Sequence, residues 1–575
     1  MENPNQPTLF LGPKGEFAPV FAGLWTQLFE DVVKRRQRIF ANDPSWSGHV
    51  AVAQQPLIGG LDALLEILET EIPTFSPHYL GHMISDISIP ALLGHMAVLF
   101  ENPNLASREA ASAGSQLEVQ AVNALAEMIG LPLPPVRGHF TSGGTVANFE
   151  AFWRARYRLD HWLALGAWLV EHGRTPADFF ALAHMGWSAF DEHLEVQAID
   201  EQQLRERSWV LRGPWAISRY YRTVLGNEFP EPVLLVPGNK HYSWPKSANV
   251  FGLSEDAIWP LDLDACGRVR IDALEAAIDR ARGLGRPILM VVSVAGTTEL
   301  GMIDPVDQVA ARLARYRDED GLHIWHHVDA AYGGYLCTTF KEGESALDAP
   351  AVAALEGLKK VDSITLDPHK LGFVPYACGA FIAPNPRAYA VSSIRAPYLA
   401  QDTEAAYPSW STTLEGSRAA TGAGAVWLSA KILPLDASGH GALLNESIKT
   451  TRLFYQAISE RIANVRMVPV SDSNIVCFTL AREGASLSEA NAAAGQLVDR
   501  FKEHPDFACT RTALGLDSYR ALIEGMLQTW NGELDSDHML VVRMVIMNPY
   551  MNEASATSAL LDQLLLAITE MVDTA

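Results

Sequence analysis

Lys370 closes SITLDPHK (363–370), where an apolar strand pattern runs into Asp-Pro-His-Lys and then a glycine-containing loop. In α/β sheets ligands gather at the carboxyl ends of strands, and a lysine desolvated there can lose its proton and attack a carbonyl. Asp329 ends a second strand pattern in HVDAAYGG (327–334). A carboxylate at that position can hold a cationic ring nitrogen, and Ala330 and Ala331 are small enough to let a flat ring lie against the chain. TSGGTVANFEAFWRARY (141–157) sets Gly143 and Gly144 before an amphipathic helix, so backbone N–H groups and the hydroxyls of Ser142 and Thr145 can cradle an anion. His241, in PGNKHYSWPKSANVFGL (237–253), can stack on a planar ring or reach a carboxylate. Thr297 and Thr298, in VAGTTELGMIDP (294–305), can hydrogen-bond a ring substituent. Each group also has an ordinary structural reading: a solvated lysine, an N-cap aspartate, a glycine turn with a threonine cap, a core histidine, a capped turn.

The set carries more than its members. In chain order it reads anion cradle, stacking imidazole, threonine pair, ring-nitrogen aspartate and carbonyl-trapping lysine, each at a strand–loop junction. Five unrelated structural explanations at matching junctions are a poor account of that order. These are the groups with which enzymes hold pyridoxal phosphate (PLP). The glycine turn is neither GxxxxGK[ST] nor GxGxxG, which disfavours ordinary nucleotide binding and a nicotinamide oxidoreductase.

The elements that must position these groups are legible in the hydrophobic pattern. Residues 1–115 read as a mostly helical segment, with LDALLEILET (61–70) at helical spacing and 106–132 as a long helix stopped by Gly130 and Pro132. Residues 116–430 read as a large α/β domain. Its strand candidates are 232–238, 288–296, 322–331, 363–370 and 378–384, separated by helical stretches such as 271–283 and 305–321. Several are nearly continuous apolar runs, as expected of a mainly parallel sheet covered on both faces. Residues 431–575 read as a smaller α+β domain with helices over 446–462 and 554–574 and strands over 473–481 and 539–549; GHGALLNE (439–446) marks the boundary.

With 575 residues, 48% of them hydrophobic, the chain has material for more than one core. A net charge of −23 argues against nucleic-acid binding, which requires basic surface. The five cysteines (266, 337, 378, 477 and 509) form no CxxC, so a reduced intracellular setting is expected. The start, MENPNQPTLFLGPKGEF, lacks the pattern of a secretory signal, and no apolar window of about 18 residues suggests a membrane span. The expectation is a cytoplasmic protein. HIWHH (323–327) raises a metal site, but on a strand His323 and His327 share one face and His326 the other, so support of the Asp329 strand is the better reading and no metal is assigned.

The stretches TSGGTVANFEA, HYSWPKSANVFGL, HVDAAYGGY, SITLDPHKLGFVPYACGAFI and TLEGSRAATGAGAVW (413–427) resemble the group II PLP-dependent amino acid decarboxylases, and within them the bacterial tyrosine decarboxylases most. YLGHM (79–83) and VVRMVIMNPY (541–550) fit more weakly, and the resemblance spans about 75 to 550. It implies PLP fold-type I, an aspartate-aminotransferase-like large domain, and a homodimer whose sites lie near the subunit interface. It implies that Lys370 carries the cofactor as a Schiff base, Asp329 pairs with the ring nitrogen, and His241 stacks on the ring. Gly144, Thr145 and His369 would help hold the phosphate. Tyr376, six residues past the lysine, would protonate the substrate carbon after carbon dioxide leaves; aldehyde-forming relatives carry Phe there. His82 resembles a residue lining the substrate pocket, and Ser417 one that reaches the phosphate across a dimer interface. The implied reaction is decarboxylation of tyrosine or another aromatic amino acid. Other PLP reactions on the same fold, namely decarboxylation of glutamate or another acidic amino acid, aldehyde synthesis or carbon–carbon lysis, are the alternative. The Trp-rich insertion 162–195 departs from the pattern, and extension of the core is its simplest role.

Overall fold

A computed structural model of the chain describes residues 9–43, 54–133, 136–174, 179–225, 231–393, 408–552 and 554–573. The first residues of the N-terminal stretch, part of the 162–195 insertion and residue 574 lie outside them. Among the described residues four helices come first, α1 (Ala18–Ile39), α2 (Gln54–Leu68), α3 (Ile89–Glu101) and α4 (Ser112–Met128), and α5 (Gly144–Glu171) follows the first strand. The helix expected from 106 begins six residues later, at Ser112, and Gly130 takes a left-handed φ of 78° just past its end, as a terminating glycine does.

The large sheet has seven strands: β1 (Arg137–Thr141), β2 (Val233–Pro237), β3 (Ile258–Leu261), β4 (Ile288–Val294), β5 (His326–Asp329), β6 (Ser363–Leu366) and β7 (Gly379–Ala383). Their order is β1-β7-β6-β5-β4-β2-β3, with only β7 antiparallel to its neighbours. The sheet is mainly parallel, as the apolar runs require. Every residue of β2, β4 and β6 is buried, because helices cover both faces. On one face α5 packs Ala151, Phe152, Leu159 and Leu163 against Leu234, Val236 and Phe381. On the other, Val309 and Leu313 of the helix Val306–Asp320 pack with Val291, Val328 and Ile364.

Three local features set up the site. The β6–β7 connection (367–378) is too short for a crossover helix, so β7 returns antiparallel and Lys370 is confined to a loop at the carboxyl end of β6. Register places Val294 beside Asp329 and Asp329 beside Thr365, so three strands end together. The strand expected over 322–331 is only His326–Asp329, so His323 precedes it and does not share a strand face with His327. β1 and β3 escaped the sequence pattern because they are short and interrupted by polar His139 and by Pro260.

The second sheet has four strands, β8 (Val465–Met467), β9 (Ile475–Leu480), β10 (Thr510–Gly515) and β11 (His538–Val545), in the order β10-β11-β9-β8. It packs with the helices Leu487–Glu503 and Ala554–Asp573 around Phe478, Leu497, Val542 and Leu564. The two sheets lie on either side of residue 430. Helix α4 and the helix Thr421–Ile432 run through the two boundaries read from sequence, and the stretch 439–446 starts the long helix His440–Arg461. The described part of the insertion builds a core of its own from Trp162, Leu165, Trp168, Met185 and Phe190.

Candidate active site

A cavity of about 350 Å³ opens at the carboxyl ends of β4, β5 and β6. Ser142, Gly144 and Thr145 line it from the start of α5, Asp329 and Ala331 from the end of β5, and His369, Lys370 and Tyr376 from the β6–β7 loop. His241 enters from the loop after β2. Lys370 Nζ lies 3.2 Å from Asp367 Oδ2, and His369 Nε2 lies 3.5 Å from the same oxygen. Tyr376, 55% exposed, stacks on His369 with ring centroids 4.0 Å apart, at the cavity rim.

Asp329 is 5% exposed, and its position is fixed by other side chains. Asn148 Nδ2 donates to Asp329 Oδ2 at 2.7 Å, and the Ala331 N–H donates to Asp329 Oδ1 at 3.3 Å. The same amide nitrogen of Asn148 donates to Ser243 Oγ at 2.9 Å, and Ser243 Oγ lies 2.9 Å from His241 Nδ1. On its other side Asn148 Oδ1 accepts from Thr365 Oγ1 at 2.8 Å and lies 3.3 Å from His327 Nε2. One buried carboxamide therefore ties the carboxylate of β5 to the imidazole after β2 and to β6.

Electrostatics sort the titratable groups. Burial pushes the His241 imidazole below its ordinary range, against the pull of Asp329. Burial likewise lowers His369, opposed by Asp367. Burial, then the charges of Asp367 and Tyr79, push the Tyr376 phenol up to about 12, so at neutral pH it holds its proton. A group in that state can give a proton to a carbanion at the cavity rim.

Three expected residues stand apart from this cavity. Thr297 is buried, and its Oγ1 accepts from the Met302 N–H at 3.1 Å, capping its own turn; Thr298 is the threonine on the cavity wall. His82 is exposed outside the wall, where its N–H donates to the Tyr79 hydroxyl at 3.1 Å. Ser417 is exposed too, accepting from Asn104 Nδ2 at 3.1 Å.

Residues 228–481 match the pyridoxal-dependent decarboxylase conserved domain. Over that stretch the chain carries this decarboxylase domain. It is similar to an L-tyrosine decarboxylase of Levilactobacillus brevis, 28% identical over 95% of this chain and 92% of the relative. It is also similar to an L-2,4-diaminobutyrate decarboxylase of Rhizobium meliloti, 26% identical over 84% and 83%. The fold matches mouse CSAD, with a TM-score of 0.65, 18% identity, and 96% and 99% of the two chains covered. It matches Oryza sativa TDC holding PLP and tryptamine equally well, with a TM-score of 0.65 at 15% identity and both chains covered in full. As a pyridoxal-dependent decarboxylase the chain is a PLP-dependent carboxy-lyase.

The cavity of this decarboxylase fits PLP on its own chemistry. The 28-residue helix α5 starts without a side-chain cap, and its Val146 and Ala147 N–H groups turn back to Gly143 O. The Gly144 and Thr145 N–H groups remain for a phosphate at the positive end of the helix. A Cβ at Gly144 would stand 2.7 Å from Asp367 Oδ2 and 3.2 Å from Ala331 Cβ, so only glycine lets the cradle close on the strands. An amine, a buried carboxylate for a ring nitrogen and an imidazole for the ring face complete the donor set.

Sequence reading missed Asn148 and Asp367. Both were open to detection: Asn148 follows Gly144 by four residues on a helix and so shares its face, and Asp367 stands within DPHK itself. Asp367 is 3% exposed, and its Oδ1 has no hydrogen-bond partner among the described residues.

Proposed function

We propose that the protein decarboxylates tyrosine or another aromatic L-amino acid to the amine, with Lys370 as the residue that carries PLP. The observation that carries this reading is the Lys370 amine facing a cavity that also holds Asp329, His241 and Tyr376. Three relatives named L-tyrosine decarboxylase, 26–28% identical over 95–96% of this chain, support the aromatic substrate.

Bound PLP supplies an electron sink for the charge left on the α-carbon when carbon dioxide departs. The chain supplies placement and proton control. Lys370 provides the amine that would hold the cofactor. Asp329, braced by Asn148, keeps a ring nitrogen protonated by charge. His241, kept mostly neutral by burial, would lie against one ring face. Gly144, Thr145, Ser142 and His369 would hold the phosphate. Tyr376 delivers the proton to the α-carbon, which makes the product an amine.

A homodimer belongs to the same proposal. Helices α1 and α2 bury no residue, and expose Phe29, Leu57, Leu61, Leu64 and Leu68, an apolar surface suited to a second copy. Ser417, exposed and off the wall of its own chain's cavity, would then serve the neighbouring one, and His82 would line the substrate side. We likewise propose three domains, 1–115, 116–430 and 431–575.

Carbon dioxide release, measured over the common amino acids with PLP added, tests the reading. Aromatic amino acids should release carbon dioxide and give the amine, and Lys370→Ala should abolish both. Release confined to an acidic or diamino acid would overturn the substrate; an aldehyde product would overturn the reaction.

A further inference from the structure

At the opposite end of β5 from Asp329 lies a second cavity, of about 480 Å³, which the decarboxylase chemistry does not use. Arg158, Trp162, Trp187, Arg317, His326 and Lys360 line it. It sits at the amino ends of β5 and β6, roughly 10 Å along the strand from the cofactor carboxylate at 3.3 Å per residue.

Arg158 is the unusual group. It comes from α5, is 5% exposed, and spends one N–H on a protein acceptor, Nη1 donating to His323 O at 2.9 Å. Its Nε and Nη2 are buried with no hydrogen-bond partner among the described residues. Those two atoms form one edge of the guanidinium, the edge that presents parallel N–H groups to two oxygens of a single anion. The rings of Trp162 and Trp325 lie 5.9 and 5.4 Å from the guanidinium carbon and hold it in place. Burial draws Arg158 down to about 10 against the pull of Asp362, yet it remains a cation at neutral pH.

The surroundings offset its charge without using its free edge. Asp362, the carboxylate on the cavity wall, attracts Arg158 by charge but makes no hydrogen bond to Nε or Nη2, and its Oδ2 accepts from the His326 N–H at 2.8 Å. Lys360 and Arg317 are exposed at the solvent side, adding positive charge, although Arg317 Nε also donates to Asp318 at 2.8 Å. His326 Nδ1 is a third buried nitrogen without a partner among the described residues, while its Nε2 lies 2.9 Å from Ser293 Oγ. With the serine hydroxyl donating to Nε2, Nδ1 carries the proton of a neutral ring and offers one more donor. A buried cation with an unused donor edge is costly unless an anion meets it.

We propose that this cavity binds a small oxyanion, a carboxylate or a phosphate, across the Nε–Nη2 edge of Arg158, with Lys360 and Arg317 at its entrance. The HIWHH segment thus serves an anion through His326, besides supporting the strand of Asp329.

The test is calorimetric titration and thermal melting of the PLP-loaded enzyme, whose phosphate cradle is already filled. Inorganic phosphate and acetate are compared with chloride at matched ionic strength, which separates the two oxyanion sources. One of them should bind saturably and raise the Tm. Arg158→Gln should weaken that binding about a hundredfold or more. The Arg317→Ala/Lys360→Ala double variant should weaken it about tenfold with carbon dioxide release unchanged. A Tm rise matched by chloride, or binding retained in Arg158→Gln, overturns the proposal. If Arg158→Gln does not fold, the double variant decides, and wild-type affinity there overturns it equally.

Discussion

Asn148→Leu removes the amide that joins the two sides of the cofactor cavity while keeping the side chain close in size. The Asp329 carboxylate loses a 2.7 Å donor, and Ser243 and Thr365 lose their partner. A hydrogen bond to a charged group contributes about 1.5–3 kcal/mol, so cofactor affinity should fall roughly 10- to 100-fold. The neutral bonds to Ser243 and Thr365 bear on folding more than on binding, because both partners are buried in either state. Titration of the cofactor-free variant with PLP, followed by visible absorbance, reads the affinity. Far-ultraviolet circular dichroism reads the fold. Asn148→Asp sharpens the test by setting a second carboxylate against Asp329, where two like charges cannot both ionise cheaply. It should bind PLP more weakly than Asn148→Leu. Wild-type affinity in Asn148→Leu, or tighter binding in Asn148→Asp than in Asn148→Leu, would refute the bracing argument.

Tyr376→Phe should lower amine formation about 100-fold or more, the usual span of a lost general acid, and leave the cofactor absorbance intact; unchanged amine output removes Tyr376 from the reaction. His440, 1% exposed with Nε2 2.7 Å from Leu371 O, is pushed by burial down to about 4. Its folded pKa lies below its unfolded one, so its stabilisation is complete above about 6.5 and is lost as pH falls toward 4, about 2 kcal/mol by pH 5. Urea melts of wild type and His440→Gln near neutrality and near pH 5 check this, and an equal loss in both would exclude His440 as the cause. Deleting residues 1–70 should turn a dimer into a monomer on a sizing column and abolish carbon dioxide release; a dimeric, active truncation would show that α1 and α2 do not form the interface.

How much of this site the sequence exposes follows from what kind of signal each part leaves. β2, β4 and β6 are buried on both faces, so their apolar runs stand out, and Lys370 and Asp329 can be placed at strand ends from spacing alone. β1, β3 and β10 leave weaker traces, because four- to six-residue strands at or near a sheet edge, interrupted by His139, Pro260 or alternating polar residues, look like loops. Thr297 and Thr298 show a limit of another kind. They are adjacent, equally polar and at the same strand end, and only the turn geometry sends Thr297 back to the Met302 amide and Thr298 to the cavity. The same limit hid Arg158. On paper it is one more arginine in WRARYRLD, and nothing in that run distinguishes it from Arg156. Its meaning comes from α5 carrying Asn148 to the carboxyl end of β5 and, ten positions later, Arg158 to the other end of the same strand. A single helix lying across the sheet thus serves both cavities, and only the crossing of α5 over β5 brings that out.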